Sequence, residues 1–204
     1  MVPERKTRYL LAALVLTVAA AGAGFWVWLK SHPAPIPEHL QNMGGDFTLQ
    51  SADGPVSLSD FRGKVVLLYF GYANCPDACP LTLSNWARAF KSLTPKELAR
   101  VRGIMVSVDP ERDSPETLKT FATFFHPNIM GLTGSPETLR AVVDKYRSDF
   151  VIEKQSGTDE DYEVAHMSFV YVIDPQGKVR DLLAHETPPA DVVKSVRAAL
   201  KVAG

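Results

Sequence analysis

The sequence predicts an α/β domain, a central mixed sheet flanked by helices, carried behind one N-terminal apolar segment. Three observations point there. Apolar, β-branched runs at 64–72, 102–109 and 168–174 have the length of buried strands. Two amphipathic stretches between the second and third of these open on Ser-Pro-Glu signals. Residues 9–29, "YLLAALVLTVAAAGAGFWVWL", are 21 residues without a charge.

That first segment is long enough to span a hydrocarbon core of roughly 30 Å. Arg5, Lys6 and Arg8 precede it and Lys30 follows. The basic cluster predicts residues 1–8 as a cytoplasmic tail and the C-terminal part across the membrane. Trp26 and Trp28 suit an interfacial belt. A cleaved signal peptide is the competing reading, with "AAAGA" as the cleavage region. However, the apolar run continues through "FWVWL", past the usual signal-peptide length. A mitochondrial presequence would spread Arg and Ser along an amphipathic helix, which this segment does not. The expectation is a single-pass bacterial inner-membrane protein with its C-terminal domain in the periplasm.

Residues 30–45, with three prolines and two glycines, read as a linker. The domain is expected over 46–204. Residues 46–62 read as an N-terminal hairpin. "KVVLLYFGY" (64–72) is a buried strand, and a helix opens at Pro80 with Leu83, Trp86, Ala87 and Phe90 on one face. "RGIMVSVD" (102–109) is a second strand. The two "SPETL" copies, 114–118 and 135–139, start helices, with Ser114 and Ser135 as caps and Pro115 and Pro136 at the first helical position. "IMGLTG" is a short strand or turn between them. "SFVYVID" (168–174) is a strand that turns through "PQG" into "KVRDLLAH". "PPADVVKSVRAALK" closes the chain as a helix. This order is that of a thioredoxin-like fold.

The charge balance excludes some partners. Net charge is −1, and no basic run follows the first eight residues, so nucleic acid is not a predicted partner. Residues 1–30 hold four of the 22 Lys and Arg and one of the 23 acids. That leaves 18 against 22 beyond them, or −4.

Both cysteines lie in "FGYANCPDACPLTL" (70–83). They follow a strand and precede a helix, in the crevice where open α/β sheets bind ligands. Cys79 is expected near a helix N-terminus, which favours thiolate. Three chemistries fit a pair four residues apart. A structural disulfide suits an oxidising compartment, but closes too short a loop to restrict the unfolded chain much. A dithiol oxidoreductase would use Cys-x-x-Cys, and a thioredoxin site adds a cis-proline absent from "EVAHMSFVYVID". A copper site matches soft thiolates and needs a further ligand, for which His166 is the candidate. His32 and His39 lie in the linker, His126 at a helix end, and His185 after a hairpin strand. A peroxidase would need a Pro-x-x-x-Thr-x-x-Cys context that "YANCPDACP" lacks.

"GYANCPDACPLTL" resembles the copper-binding motif of the Sco/SenC family of copper chaperones. "SVDPERDSPETL" (107–118) resembles that family's second block and "HMSFVYVIDPQGKV" (166–179) its third. The resemblance covers 46–204. It implies Cys75, Cys79 and His166 as ligands for Cu(I) or Cu(II), and Asp109 as a group beside the site. It also implies delivery of copper to the binuclear centre of cytochrome c oxidase subunit II or another copper oxidase. Other periplasmic copper chaperones are implied as partners. A chaperone of this kind is not an enzyme. The alternative is a thiol–disulfide oxidoreductase that keeps that centre's cysteines reduced, with Cys75 and Cys79 as a redox pair that forms a disulfide bond. The third block often reads Asp-His-Ser in the family, and here it is Ala165-His166-Met167. Met167 carries a thioether, although core packing suits it as well. Residues 148–165, with Asp159, Glu160 and Asp161, read as a loop or flap leading to His166.

Overall fold

The structure is a computed structural model describing residues 9–10, 14–24, 35–154, 162–166 and 169–202, with backbone alone at 152–154 and 162–166. Two units separate, residues 1–35 with 204, and Ile36–Ala203. In the first, residues 14–24 are helical. Among the described residues no helix is long and apolar enough to cross a membrane. The tail 1–8, residues 11–13 and 25–29 of the expected anchor, and His32 lie outside them.

The second unit is built on one sheet. β1 (Thr48–Ser51) and β2 (Gly54–Ser57) form the expected hairpin. The five-stranded sheet has the order β5 (Ile129–Leu132), β4 (Val101–Ser107), β3 (Val65–Gly71), β8 (Phe169–Ile173), β9 (Val179–Ala184). β3 pairs parallel to β4 and β4 parallel to β5, while β8 runs antiparallel to both β3 and β9. All seven residues of β3 are buried, as a central strand covered on both faces requires. β3, β4, β5 and β9 therefore all end at the same edge. Each is followed by a helix that must run back: α1 (Ala78–Lys91), α3 (Pro115–Phe125), α4 (Pro136–Lys145) and α5 (Pro189–Lys201). A four-residue helix, α2 (Pro95–Leu98), precedes β4.

The register explains which side chains meet. Tyr69, Met105 and Gly131 are neighbours across β3, β4 and β5, so they share a face. On that face Tyr69 meets Trp86 of α1 edge-on at 6.5 Å between ring centroids. A Cβ on Gly131 would stand 2.6 Å from Cβ of Leu118, which is how closely α3 approaches. Phe70 points the other way, into a cluster with Tyr146 and Tyr171 at 5.7 and 5.8 Å. Both Ser-Pro-Glu signals act as expected. Ser114 accepts from the N–H of Thr117 at 3.1 Å, and Ser135 from that of Thr138 at 3.2 Å.

Three features differ from the sequence reading. The compact unit starts at Ile36, ahead of the expected boundary at Asp46. Leu40 is buried in the core, the Gly44 N–H donates to the Lys145 carbonyl at 2.7 Å, and the Tyr146 hydroxyl donates to the Gly45 carbonyl at 3.0 Å. The glycines there are turn residues with positive φ, +86° at Gly44, where a Cβ would press on Val179. Composition alone reads such residues as linker. The second feature is α1, which opens at Ala78 instead of Pro80. Proline needs no N–H partner anywhere in a first turn, so it marks the turn and not its first residue. Third, part of the expected loop 148–165 is a hairpin, β6 (Phe150–Lys154) with β7 (Tyr162–His166). The acidic run Asp159–Asp161 lies outside the described residues, as does Met167.

Two measurements check this packing. Gly131→Ala forces a methyl onto Leu118 and its carbonyl, so it lowers the unfolding free energy by about 1–3 kcal/mol, read as a shift of the urea midpoint at constant slope. Glu97 of α2 accepts from Arg197 of α5 at 2.7 Å, and with the Thr94 N–H this pulls its carboxyl down to about 2. A depressed carboxyl stabilises the fold above its unfolded value of 4.5 and loses that contribution as pH falls through about 2. The stability gap between the chain and Glu97→Gln is therefore full above pH 4.5 and closes near pH 2.

Candidate metal centre

β3 delivers the backbone to the sheet edge at Gly71, and α1 begins seven residues later at Ala78. The connection carries Cys75, which is half-buried, and leads to Cys79, which is fully buried in the first turn of α1. Both are thiols, not a disulfide. The Cys79 N–H donates to Sγ of Cys75 at 3.4 Å, and the Cys79 thiol lies 3.8 Å from the Tyr69 hydroxyl.

Gly71 makes this approach possible. A Cβ there would stand 2.8 Å from Sγ of Cys79 and equally close to the Tyr69 ring. The buried sulfur occupies the space that any other residue would fill. A hydrogen bond with Cys75 and then burial push the Cys79 thiol well above the usual range. The hydrogen bond with Cys75 and the buried position oppose the thiolate that a helix end alone favours. Burial, followed by Cys75, raises Tyr72 to about 12.

The second sequence block braces the loop. Asp113 is buried, and its Oδ2 accepts from the Ala73 N–H at 2.8 Å and from the Ser107 hydroxyl at 2.5 Å. The Val108 N–H donates to the Gly71 carbonyl at 2.9 Å. Asp109 is buried at the end of β4, and its Oδ2 accepts from Nε of Arg112 at 2.5 Å. The Arg112 guanidinium stands 5.9 Å from the Tyr72 ring centroid. Asp109 thus holds the turn through Arg112, while Asp113 holds the cysteine loop itself. Asp113 is a functional residue that the sequence alone does not distinguish. Its signal was its place four residues after Asp109 in "DPERD", which one sequence cannot separate from an ordinary turn.

His166 ends β7, paired with Phe150. Three residues later β8 begins, and its Val170 pairs with Tyr69 of β3. His166 therefore leads into the strand beside the cysteine strand, at the edge where β3 ends. Its side chain is outside the described set. Among the other described histidines, His185 follows β9 at this same edge, while His126 and His39 lie away from it. Nδ1 of His126 accepts from the Asn128 N–H at 3.0 Å, its ring meets Phe90, and burial and then Lys91 hold it below the usual imidazole range. His39 is exposed, and the His185 carbonyl accepts from the Thr82 hydroxyl at 3.2 Å. Among the described residues no three His, Cys, Asp or Glu side chains converge on a metal position. A cavity of about 780 Å³ opens beside the loop, lined by Ala73, Asn74, Arg112, Asp113, Glu116 and Phe121 among others.

The SCO1/SenC family model matches residues 37–201. This chain belongs to the SCO1/SenC family. It is 34% identical over 156 residues to the mitochondrial protein SCO2 of Saccharomyces cerevisiae, covering 76% of this chain and 52% of that relative. The crystal structure of yeast Sco1 with copper bound superposes with a TM-score of 0.71 at 32% identity, over 78% of this chain and 89% of that one. BsSco, a member of the Sco family of cytochrome c oxidase assembly proteins for which a disulfide switch is identified, has a TM-score of 0.63 at 31% identity, over 82% and 98%. The match to the family model begins one residue after Ile36, where the compact unit begins.

Exposure separates the two thiols. Iodoacetamide at mildly alkaline pH labels Cys75 about tenfold or more faster than Cys79, read from fragment mass spectra of the peptide that holds both. Gly71→Ala narrows that ratio, because its methyl displaces Sγ of Cys79.

Proposed function

We propose that this SCO1/SenC protein is a membrane-anchored copper chaperone. Cys75, Cys79 and His166 bind the metal, and the acceptor is the binuclear copper centre of cytochrome c oxidase subunit II or of another copper oxidase. The observation that carries the reading is the braced pair of thiols at the sheet edge, in a chain whose family includes proteins crystallised with copper. Soft thiolates favour Cu(I), and imidazole serves either oxidation state. The Cys79 thiol must release its proton to bind, so metal binding and proton release are coupled there. Arg112 and Asp113 set the loop from which Cys75 reaches the metal. Residues 9–29 anchor the domain in a bacterial inner membrane with the C-terminal unit in the periplasm, where other copper chaperones supply the metal.

A second reading has its own support. The two sulfurs approach each other through the Cys79 N–H to Cys75 Sγ contact, and a Sco relative has a disulfide switch. On this reading the pair reduces a disulfide of the acceptor to two thiols and is itself oxidised to a disulfide.

Copper titration of the full chain separates the two. The chain takes up about one Cu(I) per domain in competition with a chromophoric chelator, and its Cu(II) form shows a thiolate charge-transfer band. Cys75→Ser and Cys79→Ser abolish both. His166→Ala weakens Cu(I) binding by tenfold or more, on the order expected for a lost ligand, and shifts the band. Unchanged copper affinity and spectrum in His166→Ala, with reduction of an oxidised subunit II peptide retained, would establish the reductase instead.

A further inference from the structure

The four long helices begin at the cysteine edge and end at the opposite one, because each follows a strand that runs toward the cysteines. Helix ends select charge: acids in the first turn and bases in the last. Glu116, Glu137 and Asp191 stand in first turns, and Arg88, Lys91, Lys145 and Lys201 in last turns, with Asp144 the acid beside Lys145. With the helices aligned, these local preferences add, and the pole far from the cysteines becomes basic.

That pole carries more positive charge than helix ends explain. Lys96 and Arg100 come from α2 and the turn after it, and with Arg197 and Lys201 of α5 they surround a cavity of about 370 Å³. Glu97 is the acidic group in its lining and is paired with Arg197, which leaves Lys96, Arg100 and Lys201 in excess. Lys194 extends the row along the exposed face of α5. The chain also enters the unit at this pole. Ile36 lines a cavity with Gly177 and Lys178 of the β8–β9 turn, and β8 ends there, with Ile173 paired to Val66 near the start of β3.

We infer that the basic pole is a contact surface for anionic phospholipid headgroups. It holds the unit on the membrane with the cysteine loop turned away from the bilayer, toward an approaching acceptor. The inference rests on the proposed anchor at 9–29. The chain enters the unit at Ile36, on the same pole as this charge, and Lys96, Arg100 and Lys201 are the charge an anionic surface attracts. Each Lys or Arg near an anionic surface adds to the attraction, and the effect fades within a Debye length.

The test uses the full chain in nanodiscs of phosphatidylcholine alone or mixed with phosphatidylglycerol, followed by hydrogen exchange. Residues 94–100 and 197–201 exchange more slowly in the anionic discs. High salt removes that protection, and so does the triple variant Lys96→Gln, Arg100→Gln, Lys201→Gln. Equal exchange in both lipids overturns the inference, and so does equal protection from inorganic phosphate in neutral discs. An alkaline wash separates the two ideas: a chain that leaves the disc disproves the anchor. Flotation with anionic vesicles then reads the lipid contact by itself. There the triple variant lowers partition roughly a hundredfold, and unchanged partition overturns the contact.

Discussion

The carboxylate of Asp113 joins the two halves of the site. It takes the Ala73 N–H from the cysteine loop and the Ser107 hydroxyl from the end of β4. A buried carboxylate left with fewer partners would be costly, so the loop and the strand end are held together by one group's need for donors. Arg112 adds a second tie, because Asp109 fixes its guanidinium beside Tyr72. The loop that carries Cys75 is thereby tied to the end of the sheet by residues of the second block as well as by its own short-range bonds.

The two thiols have different environments for the same reason. Cys79 sits over the bare backbone of Gly71, and its hydrogen bond with Cys75 and then its full burial disfavour its charge. Cys75 stands in the braced loop and remains half-exposed. A pair built this way has one sulfur fixed in the interior and one facing traffic.

Strand direction also shapes the unit beyond the site. β9 runs with β3, β4 and β5, so all four long helices return in one sense. Capping preferences that act over a single turn then accumulate along the whole unit. The charge asymmetry between the poles follows from topology and from ordinary helix ends, with α2 and Arg100 adding to it.

Much of this was legible in the sequence. Strands at 65–71, 101–107 and 169–173 announced themselves by apolar runs, and the Ser-Pro-Glu helix starts by their caps. The cysteine spacing and the three blocks pointed to the family that the comparisons confirm. These features are local, set by neighbours within a few residues. What the tertiary structure decided is long-range. The burial of Cys79 depends on Gly71 and Tyr69, the setting of Cys75 on Asp113, and the place of Leu40 on a core it reaches through glycine turns. Local sequence can show that a thiol stands near a helix end. What disfavours the charge on that thiol is its tertiary setting, the Cys75 hydrogen bond first and burial second, and neither can be read from the residues beside it in sequence.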